Sequence, residues 1–126
     1  MTITANTYTM EELPTDGVLF YKSLATEDGT GAEEILAASS GHTHYLTKLQ
    51  INADAAMDVS IGSGETTEAI TTVHFGPIPL DATGGRFLWE APPGMGIKCT
   101  AATAIIVDAT AAGTIWIEAH GKTCIK

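Results

Sequence analysis

Along most of the chain, apolar and polar positions alternate with a period of two, and Gly, Pro, Asp and Asn fall between the alternating runs. That period is the signature of β-strands with one covered face. The clearest early run is 42–52, which sends Tyr45, Thr47, Leu49 and Ile51 to one side and Lys48, Gln50 and Asn52 to the other. Met57, Val59 and Ile61 alternate with Asp58 and Ser60, and Gly62-Ser63-Gly64 reads as the flexible hairpin loop that stops this run. A strand over 67–75 ends at Phe75, where Gly76-Pro77 breaks it; Pro79 then marks an edge or irregular segment. Gly84-Gly85 is a turn, 86–90 a strand, and Ala91-Pro92-Pro93-Gly94 a rigid turn. Strands over 95–100, 104–108 and 114–120 follow. In the last, Ile115, Ile117 and Ala119 face inward, while Thr114, Trp116, Glu118 and His120 face outward.

Short strands with turn signals roughly every ten residues predict an all-β, antiparallel β-sandwich of the jelly-roll type. Helix-length segments between the strands are missing, which argues against a parallel βαβ fold. No fixed-period repeat is present, which removes solenoids and propellers. Residues 1–32 differ from the rest. They are rich in Thr and acids, with a short apolar run at Val18, Leu19, Phe20 and Tyr21. They are assigned to an extended N-terminal arm and first edge segment, and 33–126 to the sandwich. Residues 1–14 are too polar for a core position, whereas 18–24 read equally well as arm or as a strand of the sandwich.

Charge sharpens this division. The 126 residues carry a formal net charge of -9, which argues against nucleic acid as a partner, since phosphates require clustered Lys and Arg. Residues 1–40 hold seven acids against Lys22 alone, so -6 of the total lies there. Such an excess either solvates the surface or meets a basic partner. Hydrophobic residues at 44% point to a globular chain. No apolar stretch approaches the roughly 20 residues of a membrane span, and no signal segment opens the sequence, so synthesis in a cytoplasm is expected. Cys99 and Cys124 are too few for a disulfide framework and read as free thiols, Cys99 as a small buried hydrophobe.

The sequence offers little in the way of chemistry. His42 and His44 lie two apart on a strand and share a face, as metal ligands in β-barrels do. The cupin pattern, however, needs Gly where Leu36 stands, Glu where Lys48 or Leu49 stands, and a second-motif His where Ile97 stands. No metal or other cofactor is therefore expected, with His42 and His44 the candidates for a transition-metal site. His74 and His120 read as outward surface residues. Ser63 lies between glycines but lacks the strand-to-helix turn of a nucleophile elbow. Gly121-Lys122-Thr123 resembles the end of a phosphate loop, but Trp116 stands where its first Gly would be. Adjacent acids such as Glu27/Asp28 and Glu33/Glu34 could offer oxygens to calcium, without EF-hand spacing to support it. The chain thus carries no catalytic constellation.

From residue 41 onward the order of strands and turns resembles that of small bacteriophage capsid decoration, or cement, proteins. The residues carrying the likeness are the strand 45–52, the strand 57–62, Pro79-Leu80 before Gly84-Gly85, and the aromatic strand Phe87-Leu88-Trp89 before Pro92-Pro93. Gly94-Met95-Gly96-Ile97 and two further strands complete it. The resemblance implies a jelly-roll virion protein, seated as a homotrimer on the major capsid protein at the capsid surface. The contacts expected from it and from the arm are Tyr8, Met10, Leu13, Phe20, Tyr21 and Trp116. The alternative is a phage tail module or a receptor- or carbohydrate-binding β-sandwich.

Overall fold

The computed structural model describes residues 10–26, 31–64, 70–81, 85–110 and 113–125. Ten strands follow one another: β1 (Met10–Glu12), β2 (Val18–Thr26), β3 (Gly31–Leu36), β4 (Thr43–Ala53), β5 (Met57–Gly64), β6 (Thr72–Leu80), β7 (Arg86–Glu90), β8 (Met95–Lys98), β9 (Ala104–Ala109) and β10 (Ile115–Cys124). No described residue is helical.

One sheet has the order β1-β8-β4-β10-β2, with β7 also paired to β4, and the other has the order β3-β9-β5-β6. Every pairing is antiparallel. Strands β7 and β8 lie against successive parts of β4, Arg86 to Glu90 opposite residues 52–48 and Ile97 and Lys98 opposite Leu46 and Tyr45. They are one strand interrupted by the Pro92-Pro93 turn. Counted so, and with β1 set aside, two four-stranded sheets of orders 2-10-4-7/8 and 3-9-5-6 face one another. That is the strand order of a jelly roll.

The sheets close on an apolar core of Leu46, Leu49 and Ile51 from β4, Met57, Val59 and Ile61 from β5, Ile105 and Val107 from β9, and Ile115 and Ile117 from β10. Phe75 of β6 meets Phe87 and Trp89 of β7 across the sandwich, at ring-centroid distances of 5.9 and 4.9 Å. Side chains this large carry much of the burial energy.

Several strands depart from strict alternation. On β4, Lys48 pairs with His120 and Leu46 with Gly121, so Thr47 is an extra residue. The bulge moves Leu46 onto the core face and Tyr45 onto the outer one, correcting the assignment of Tyr45 and Thr47 to the inward row. Gly121 allows this close passage, since a Cβ there would run into the Tyr45 carbonyl oxygen and the Phe20 ring. Gly62-Ser63-Gly64 is not a hairpin loop: all three residues belong to β5, with Ser63 opposite Ile105 and Thr72. Nor does Gly76-Pro77 end β6. That strand continues to Leu80 through a cis peptide, with register shifts on either side of Ile61, and it borders its sheet as Pro79 implied.

Residues 13–17 join β1 to β2, which lie at opposite borders of the first sheet. Four inter-strand spacings separate these borders, about 19 Å. Six extended Cα steps cover about 20 Å, and the connection is a strap over the outside of the sheet that bends at residues 15–17. Leu13 N–H donates to the Gly94 carbonyl at 2.9 Å, and Lys122 Nζ donates to the Pro14 carbonyl at 2.6 Å. Gly17 has φ +114°, and a Cβ there would stand 2.5 Å from the Thr123 oxygen and 2.9 Å from Cys124 Sγ.

Candidate interaction surface

The registers of β2, β10, β4 and β7 fix which side chains share the outer face of the first sheet. Since Ile115, Ile117 and Ala119 point into the core, Trp116, Glu118 and His120 point out. Their partners form three rows across the sheet: Ala25, Trp116, Asn52 and Arg86; Ser23, Glu118, Gln50 and Leu88; Tyr21, His120, Lys48 and Glu90. The rows interlock at one corner. Tyr21 Oη donates to Glu118 Oε1 at 2.9 Å, and its ring stands edge-on to His120 at 4.5 Å. This hydrogen bond to a carboxylate raises the Tyr21 hydroxyl pKa above its ordinary value.

Apolar surface is interspersed among these polar groups. Trp116 is 46% exposed, Tyr21 55%, Leu88 54% and Leu19 78%. A shallow groove of about 330 Å³ lies between the strap and the Pro92-Pro93 turn, lined among others by Leu13, Leu19, Lys48 and Met95. Large exposed side chains gathered on one sheet face, ringed by charge, are what a protein-binding surface requires.

The residues expected at a partner contact are dispersed by the fold. Tyr8 lies outside the described residues. Met10 and Phe20 pack against the core, and Phe20 meets the His44 ring at 5.9 Å. Leu13 covers Gly96 from outside. Tyr21 and Trp116 stand on the open face. Leu88 belongs with them and was legible, because Phe87 and Trp89 on either side are the inward residues of β7.

The histidines take other roles. His44 is buried, with Nε2 2.9 Å from the Ala37 carbonyl and Nδ1 2.8 Å from Thr123 Oγ1. The carbonyl can only accept, so Nε2 carries the proton and Nδ1 accepts from the threonine hydroxyl. His42 Nδ1 lies 3.0 Å from Ser39 Oγ and 2.9 Å from the Ser40 carbonyl. Both nitrogens of His44 are thus engaged, and no group of three or more His, Cys, Asp or Glu able to hold a metal occurs among the described residues. Glu27 and Asp28 lie outside them. His74 is not the surface residue expected: it is 6% exposed, with Nε2 2.7 Å from Ser63 Oγ, which also accepts the Thr100 N–H at 3.1 Å. His120 does stand on the outer face. Ser63 is fully buried, and burial pushes the neighbouring Cys99 thiol up to about 12. A hydroxyl sealed from solvent beside a neutral histidine and a protonated thiol serves packing at the sandwich end and is closed to a substrate. Cys99 and Cys124 are both free.

No family model matches the chain, and no curated protein matches it. Among solved structures it is similar to a chain of the acidic stable capsid structure of Helicobacter pylori bacteriophage KHP30, with a TM-score of 0.55 over 92% of this chain and 93% of that one, at 14% identity. The likeness is one of fold. It spans the sandwich end to end, and at this identity no residue role passes from one chain to the other.

Proposed function

We propose that this chain is a structural protein of a bacteriophage particle, a cement protein that binds the major capsid protein and stabilises the head without catalysis. The observation that most directly supports this reading is the fold likeness to a chain of a phage capsid structure over 92% of the one chain and 93% of the other. The proposed protein is assembled in the host cytoplasm and resides on the capsid surface as a homotrimer. The outer face of the first sheet, with Trp116, Tyr21, Leu88 and Leu19, is the surface assigned to the shell. Modest contacts repeated over many copies suit such a role, because linked sites gain avidity without deep pockets.

Particles purified from the phage encoding this chain, and quantified by mass spectrometry, test it. The chain is expected at a fixed ratio to the major capsid protein. Heads stripped of it should open at lower temperature and recover when the purified protein is added back. Absence from purified particles, or presence at only the few copies of a tail component, would overturn the reading.

A further inference from the structure

A sheet border exposes unpaired backbone N–H and C=O groups, and proteins usually blunt such borders. Among the described residues, most borders here are blunted. β1 has three residues and β7 five, with Pro92-Pro93 close behind it. β6 carries Pro77 and Pro79 and two register shifts. β3 has six residues, a register shift at Ile35, and the acids Glu33 and Glu34. The border formed by β2 is different. It is nine residues long, contains no proline, and pairs with β10 through nine positions without a shift. Its Val18, Leu19 and Tyr21 are 72%, 78% and 55% exposed. Lys22 is its one charged residue.

We propose that the β2 border is an acceptor for strand addition, and that its occupant is residues 1–9 of a second copy of this chain. The proposal rests on the self-association contained in the proposed function and names its contact. Where the described chain begins decides between copies. Met10 lies on β1, at the border opposite β2. Nine extended residues reach about 30 Å. Returning to β2 of the same molecule would use about 19 Å of that, leaving about three residues to pair. A neighbouring copy can present its β2 to the whole segment.

The chemistry of the segment agrees. Residues 1–9 read Met-Thr-Ile-Thr-Ala-Asn-Thr-Tyr-Thr, with no charged side chain, no glycine and no proline, and with Thr, Ile and Tyr as good strand formers. An uncharged donor approaches an acceptor chain of net charge -9 without like-charge repulsion. Main-chain hydrogen bonds would supply the affinity and alternate side chains the register. Donor and acceptor lie on opposite borders of one sheet, and passed from copy to copy in one direction such a contact closes into a ring when the rotation per copy allows it.

The full-length protein tests this by light scattering for mass and by hydrogen exchange for the β2 amides. Wild type should run as a trimer, with β2 protection that rises with protein concentration. A full-length Thr4→Pro/Thr7→Pro variant should fall to single-chain mass and lose that protection, with its circular dichroism spectrum unchanged. A wild type of single-chain mass, or a proline variant that keeps the trimer and the protection, would overturn the proposal. Protection of β2 that appears only on phage heads would assign the border to the shell, overturning the copy-to-copy contact while leaving the proposed function standing.

Discussion

His44 and His74 show how a residue's setting decides its behaviour. Desolvation lowers the pKa of both below the ordinary histidine value, so each is held neutral in the fold. The unfolded chain takes up these protons first as pH falls through about 6.5. Stability is therefore full above that pH and is lost as pH falls from there toward the lowered folded values, by at most about 1.4 kcal/mol per pH unit for each histidine. Urea unfolding at a series of pH values should show a plateau above neutrality and a decline below about 6.5. The paired substitution His44→Gln/His74→Gln should flatten that decline, and an unchanged slope would remove both residues as its cause. The burial of His74 was not legible in the alternation that ended a strand at Phe75. The register shifts on either side of Ile61 displace its partners on β6, and a two-residue period has no means of announcing a shift.

At the scale of elements, regular strands were legible and irregular ones were not. The inward row of Ile115, Ile117 and Ala119 follows from alternation alone, and the bounds of β7 follow from the Gly84-Gly85 and Pro92-Pro93 turns on either side of it. The bulge at Thr47 and the passage of β5 through Gly62-Ser63-Gly64 depend instead on cross-strand neighbours far away in sequence. Glycine there permits close backbone approach where a turn was expected: a Cβ on Gly62 would collide with the Thr72 carbonyl. The strap is similar, since only the sheet order reveals that residues 13–17 must cross its full width. Gly17 is its tightest point. Gly17→Ala combines an unfavourable φ with a 2.5 Å approach to the Thr123 oxygen, and should cost about 1–3 kcal/mol. Because Gly17 also lies against Cys124 Sγ, the variant should let a thiol reagent reach Cys124 faster while Cys99, deep in the core, stays shielded. Equal labelling of Cys124 in wild type and variant would mean that the strap does not guard it.

For the whole molecule, the sandwich class was legible because turn residues recur at strand spacing. The site was less so, because an interaction surface has no motif: its residues come from β2, β4, β7 and β10 and meet only through register. Charge is the one global property the sequence states outright. Of the -6 carried by residues 1–40, Glu11, Glu12 and Asp16 lie exposed on β1 and the strap, the segment from which Leu13 lines the groove. A shell binding this side should present basic groups to them, and the attraction should weaken with salt as the screening length shrinks from about 10 Å at 0.1 M to about 3 Å at 1 M. Binding of the purified protein to stripped heads is therefore expected to fall over that range. Glu11→Gln/Glu12→Gln/Asp16→Asn should bind more weakly at low salt and show a shallower salt dependence, with unfolding unchanged. Salt-independent binding by wild type would leave these acids a solvating role and shift the contact to the apolar positions Trp116, Leu88 and Leu19, where burial rather than charge would hold the protein in place.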